Sequence, residues 1–195
     1  MGRILFVLAV ALGIYYFWPK PIHYPLVHLP TPPLQAPLTS PQLWEVNEHA
    51  LRGLATYHIE ALVLSTQRYR YDALAKVSPV DFALGWGPMA DRNELKQLKI
   101  WQSGRWFNYS WPEDVVPLAT DKIVESSANT HMIPINKYIE KLLLSVKAGE
   151  VIKADGYLVE VTGPNAFSVK SSLSRTDTNG GACEIFLVEY FDIVR

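Results

Sequence analysis

The chain of 195 residues contains a single cysteine, Cys183. That excludes an internal disulfide framework and any zinc site built on several thiolates. An excess of one charge is also missing, since 18 basic and 19 acidic residues leave a net of −1. A protein held on nucleic acid by phosphate neutralisation needs a basic surface, so no nucleic-acid partner is expected. The sequence has no His-Glu-x-x-His pair, no EF-hand loop, no phosphate-cradling glycine loop and no Gly-x-Ser-x-Gly elbow. No metal site and no cofactor are therefore expected. What the chain does have is apolar: 49% of its residues are hydrophobic. With balanced charge, that excludes a disordered chain and supports one ordinary folded domain plus an appendage.

Residues 4–18 carry no charged side chain and end in Tyr15, Tyr16, Phe17 and Trp18. As a helix they span roughly 22 Å, short of a hydrocarbon core of about 30 Å. The aromatic cluster reads as an interfacial belt, and no small-x-small cleavage signal follows. A transmembrane signal-anchor over residues 1–18 is expected, touching the membrane through residues 4–18. Arg3 on the near side places the later residues outside the cytoplasmic membrane. Residues 19–41 hold eight of the fourteen prolines. Fixed φ and missing N–H donors favour polyproline II there, as a linker or as an arm lying on its own domain through Tyr24, Leu26, Val27 and Leu29.

Residues 42–195 form the expected globular domain. Ser40-Pro41 suggests a helix over 43–54 ended by Gly53. Alternation at Tyr57, Ile59, Ala61 and Val63 predicts a strand. Asp91 to Glu94 opens a short helix, and Asn136 caps another over 137–146. Two aromatic runs around Ser103-Gly104 predict a hairpin over 100–111. Strands follow over 151–162, 167–171 and 183–194, the last apolar on both faces and so central. The expected fold class is α+β: the transmembrane helix, the proline-rich tether, then a mainly antiparallel β domain with two or three short helices.

Candidate chemistry lies in three polar stretches. In the first, Trp86 sits between Gly85 and Gly87 near Asp81, as an exposed platform for a sugar ring or a plug in the core. In the second, Asn129 and His131 share a strand face, and His131 is a candidate general base. In the third, Arg175 and Asp177 precede Cys183, a candidate nucleophile if His131 approaches it and otherwise a small buried hydrophobe. Catalytic candidates are thus His131, Cys183, Asp177 and Asp81; binding candidates are Trp86, Asn129, His131 and Arg175.

Residues 78–89 (SPVDFALGWGPM), 127–134 (SANTHMIP) and 171–184 (SSLSRTDTNGGACE) resemble those of an uncharacterised group of bacterial membrane-anchored or exported proteins. The resemblance runs over residues 57–194 and implies a bacterial envelope setting, with no activity or catalytic residue attached. The expected function is a membrane-anchored envelope protein whose outward domain binds a partner protein or a cell-envelope ligand such as a glycan. The alternative is a hydrolase or transferase using Cys183 with His131 and Asp177 or Asp81.

Overall fold

One strand organises the molecule. In the computed structural model, which describes residues 6–8, 10, 12, 13, 21–115, 118–177 and 181–194, β3 (His49–Arg68) runs for 20 residues. Its first part pairs antiparallel with β8 (Val151–Gly163) and its last part with β4 (Val80–Gly85). β4 pairs with β7 (Ser127–Pro134), β7 with β10 (Glu184–Val194), and β10 with β8. The circuit of five strands therefore returns to its start, a barrel-like closure that leaves these strands without a free edge. Among the described residues, only β7 and β10 run parallel. β1 (Leu34–Pro37) and β2 (Leu43–Val46) flank β3, and β9 (Phe167–Lys170) flanks β8. β5 (Lys99–Ser103) and β6 (Trp106–Ser110) form a separate hairpin.

The alternation of each strand sorts side chains to two faces. One face gathers Tyr57, Ile59, Phe82, Met132, Ile152 and Phe186, and α3 (Lys137–Ser145) seals it with Ile139 and Leu143. Asn136 starts that helix by accepting from the Ile139 N–H through its side chain, a cap worth about 1 kcal/mol. The opposite face carries Leu51, Ile133, Val159 and Leu187 in one patch and Leu62, Leu64, Met89, Leu95 and Ile123 in another. β10 contributes to both faces, so it lies in the interior of the sheet between β7 and β8.

The expected α+β domain behind a transmembrane helix is corrected here: the fold is predominantly β. Beyond α3, the described residues hold α1 (Arg92–Leu95) and α2 (Thr120–Glu125), two short 3-10 turns at Ala73–Lys76 and Gly87–Ala90, and helical backbone at residues 6–8, 10, 12 and 13. No helix among the described residues is long and apolar enough to cross a membrane, so the transmembrane signal-anchor is not supported. Most of residues 4–18 lie outside the described residues. The helix expected over 43–54 is instead the β2–β3 hairpin. Asn47 and Glu48 sit at φ 47° and 64° between the paired Val46 and His49. That is the backbone of a two-residue turn whose twist suits a hairpin, and pairing with β8 then outweighs the helix-start signal.

Residues 21–41 lie along the domain. Tyr24 donates its hydroxyl to the Leu64 carbonyl at 2.9 Å, and the Leu29 carbonyl accepts from Gly87 N–H at 2.6 Å. Tyr24, Val27 and Leu29 cover the patch around Leu62 and Leu64 before the chain enters β1. Proline leaves this arm few donors, and it docks through carbonyls and apolar side chains instead. Trp86 is 2% exposed and belongs to the core on the α3 face, so it presents no surface on which a sugar could stack.

Candidate active site

The register of three neighbouring strands assembles a polar cluster on the face away from α3. Asp81 of β4 stands opposite His131 of β7, and Ala83 opposite Asn129. Across the parallel pairing, Glu184 stands opposite Thr130. Cys183, one residue before β10, is thereby carried alongside Asn129. Asp81 is fully buried, and His131 and Asn129 nearly so.

His131 Nδ1 lies 2.9 Å from Asp81 Oδ1. The contact is a charge pair, out of line for a well-formed hydrogen bond. The Cys183 sulfur lies near enough to His131 to favour its protonated form. Asn129 Nδ2 points at the same sulfur from 3.4 Å and donates to the Arg105 carbonyl at 2.8 Å. Gln102 holds Asn129 in that orientation, donating to its Oδ1 at 2.8 Å. Burial works against a charged imidazole, but the Asp81 carboxylate and Cys183 thiol outweigh it and lift His131 from 6.5 to about 9. Cys183, His131 and Asp81 therefore bring a thiol, an imidazole and a carboxylate together, the groups from which a nucleophile, a proton carrier and an orienting acid can be built.

The tip of the β5–β6 hairpin closes the cluster. Gly104 and Arg105 turn the chain at φ 58° and 70°. Glycine accepts this freely, whereas arginine at positive φ is strained by about 1–2 kcal/mol. Its side chain offsets the strain: Nη1 donates to Asp81 Oδ1 at 2.5 Å, and Nη2 to Asp72 Oδ1 at 2.8 Å and to the Ser78 carbonyl at 3.1 Å. The guanidinium stacks 3.8 Å from the centre of the Tyr69 ring, whose hydroxyl accepts from the Arg105 N–H. Arg105 and His131 thus share one oxygen of Asp81, while Asp81 Oδ2 has no hydrogen-bond partner among the described residues. Two carboxylates, one guanidinium and one imidazolium balance in charge.

A cavity of about 270 Å³ opens beside Cys183, walled by Trp106, Phe107, Tyr109, Val124, Ala128 and Asp177. Larger hollows, of about 320, 340 and 430 Å³, lie against β3 and the N-terminal arm, and none is lined by a cysteine. The second holds the half-exposed His58–Asp155 pair at 2.5 Å. No group of three or more metal-ligating side chains is clustered among the described residues.

Of the sequence candidates, Asp81, Asn129, His131 and Cys183 meet in one site, and Asp177 lines the cavity beside it. Asp177 is held by the Ser172 hydroxyl at 2.5 Å and makes no pair with His131. Arg175 belongs elsewhere. It pairs with Glu184 at 2.6 Å and reaches the Tyr57 hydroxyl at 3.4 Å, on the α3 face of β10. Burial raises Glu184 to about 7 although Arg175 opposes it. Sequence reasoning missed Arg105, Asp72, Tyr69 and Gln102. The one signal for Arg105 was a non-glycine residue in the second position of a tight hairpin turn, where the backbone is strained.

No protein-family model matches the chain, and neither curated proteins nor solved structures match it.

Proposed function

We propose that the protein is a thiol-dependent acyl hydrolase or acyl transferase, with Cys183 as nucleophile, His131 as proton carrier and Asp81 as the acid that orients it. The observation behind this reading is the line Cys183–His131–Asp81, drawn from three adjacent strands beside a cavity. His131 enters the reaction as the imidazolium, and the sulfur attacks the substrate carbonyl carbon as the thiolate paired with it. Asn129 Nδ2, already aimed at the sulfur, donates to the oxygen that becomes negative. Collapse of the tetrahedral species expels the leaving group, which takes the proton from His131 and leaves an acyl thioester on Cys183. Water, or an acceptor alcohol or amine, then attacks the thioester; His131 takes the nucleophile's proton, and the sulfur leaves as the thiolate, restoring the starting pair.

Intact-mass analysis after exposure to p-nitrophenyl acetate tests this. An acetyl adduct on the wild type is expected, absent in Cys183→Ala and slowed at least 100-fold in His131→Gln, the usual scale of general acid–base catalysis. Absence of an adduct on the wild type, together with iodoacetamide labelling of Cys183 no faster than that of a free thiol, would remove the nucleophile.

A binding reading has one observation in its favour. Trp101, Trp106 and Trp111 on the hairpin are 39%, 48% and 38% exposed, an aromatic surface suited to a partner protein or a glycan. On that reading Trp106→Ala abolishes binding to a glycan panel and Cys183→Ala leaves it intact.

A further inference from the structure

The cavity walls describe what enters. Trp106, Phe107 and Tyr109 supply aromatic faces, Val124 and Ala128 an apolar floor, and Asp177 is the only charged side chain lining it among the described residues. A carboxylate beside aromatic faces is the chemistry that recognises an organic cation. The ring quadrupoles attract the charge, and the carboxylate accepts its N–H donors. Asp177 is set in place for this: Ser172 Oγ donates to its Oδ2 at 2.5 Å, and that same oxygen atom of Ser172 accepts from the Ser174 N–H at 2.9 Å. Ser172 is in turn tied to the nucleophile's own backbone, since its N–H donates to the Cys183 carbonyl at 3.0 Å. The carboxylate and the sulfur are therefore held in fixed relation by one short segment. Asp177 and Cys183 line the same cavity.

Resting on the thiol-dependent reading above, we infer that Asp177 is a specificity residue and that the substrate carries an ammonium or guanidinium group together with the acyl carbon that Cys183 attacks. Amino-acyl esters, peptides with a free amine and choline-type esters share this chemistry. They differ in whether the cation can donate hydrogen bonds, because a quaternary ammonium cannot.

The experiment uses the full chain and three p-nitrophenyl esters of matched length: a primary ammonium acyl ester, its trimethylammonium counterpart and a neutral isostere. The wild type is expected to prefer the cationic esters in kcat/KM by about tenfold or more, the scale of one hydrogen bond to a charged group. Asp177→Asn is expected to lower kcat/KM for the cationic esters about tenfold or more relative to the neutral ester, abolishing the preference. Equal loss for both cationic esters assigns recognition to charge and aromatic faces; loss confined to the primary ammonium assigns it to N–H donation. No preference in the wild type, or a preference that survives Asp177→Asn, overturns the inference. A second measurement separates it from the fate of the nucleophile. Binding of the corresponding non-hydrolysable cationic and neutral amides to Cys183→Ala, followed by tryptophan fluorescence, is expected to show the same Asp177-dependent ratio. If the thioester never forms but this ratio holds, the cation site stands and the catalytic reading falls. If the thioester forms but the ratio is one, the reverse is true.

Discussion

The proton on His131 makes stability depend on pH in a direction opposite to that expected for salt-bridged carboxylates. In the fold, the Asp81 carboxylate and Cys183 thiol overcome burial and hold His131 at about 9, against 6.5 for an ordinary histidine. A group whose affinity for its proton is raised on folding contributes stability that is complete below pH 6.5 and lost as pH rises through about 9. At about 1.4 kcal/mol per pH unit, the interval amounts to roughly 3–4 kcal/mol, an upper figure for a side chain that is almost wholly buried. Glu184 behaves in the same sense at lower pH. Burial raises it from 4.5 to about 7, so its contribution is complete below 4.5 and lost between there and about 7.

The two windows overlap only near pH 7, which makes them separable. Urea unfolding of Glu184→Gln and of the double variant Glu184→Gln/His131→Gln, at intervals from about pH 5.5 to 9.5, isolates the histidine. The expected difference in unfolding free energy between them shrinks by about 2–3 kcal/mol across pH 6.5 to 9. A difference that stays flat would refute the reasoning, because His131 would then be neutral in the fold and its contacts with Asp81 and Cys183 would not hold a proton. A difference that grows with pH would refute it more strongly.

Other perturbations address the scaffold. Arg105→Ala leaves Asp81 buried with one counter-charge instead of two. Urea unfolding is expected to show a loss of about 3 kcal/mol, in the range for breaking a buried pair, although relief of the positive φ recovers little because alanine is strained there too. Gly85→Ala places a Cβ 2.2 Å from the Met89 carbonyl oxygen and 3.0 Å from a Leu64 methyl; a thermal melt is expected to lose 2 kcal/mol or more, about 4–10 °C for a domain of this size. Tyr24→Phe removes the hydroxyl that reaches the Leu64 carbonyl. It should cost about 1 kcal/mol in urea unfolding, whereas an arm that merely spans distance would show no effect.

Where a local pattern and its tertiary setting agreed, the sequence was readable. Ile185 and Leu187 alternate with Phe186 and Val188, and a strand apolar on both faces belongs inside a sheet; β10 lies between β7 and β8. Asn136 and Asp91 mark their helices through side chains that accept backbone N–H groups two or three residues on, a purely local interaction. Period-two spacing likewise put Asn129 and His131 on one face. The failures were non-local. The Ser40-Pro41 helix signal lost to an Asn47-Glu48 turn and to β8, more than a hundred residues away. The transmembrane reading rested on residues 4–18 alone, and the described helices do not support it. Arg105 escaped notice because its meaning depends on Asp72 and Asp81, and no spacing rule links a hairpin tip to two acids upstream.

The deepest ambiguity in the site is that a cluster able to do chemistry is also able to hold a hairpin in place. Arg105 and His131 both approach Asp81 Oδ1, so the carboxylate serves the fold through one and the thiol through the other. These roles separate by what each predicts for a charge-preserving change. Arg105→Lys keeps one cation near Asp81 but cannot span Asp81, Asp72 and the Ser78 carbonyl with a planar fork, nor stack on Tyr69 as well. If Asp81 serves only the hairpin, that variant is destabilised by about 1–2 kcal/mol and its thiol reactivity follows the folded fraction. If Asp81 also orients His131, weakening its rival leaves more of the carboxylate to the imidazole. The pH at which Cys183 labelling rises then moves in protein that remains fully folded. Measuring iodoacetamide rates against pH in Arg105→Lys, under conditions where circular dichroism shows the native spectrum, decides between them. An unmoved profile would confine Asp81 to structure and leave His131 to act on Cys183 unassisted.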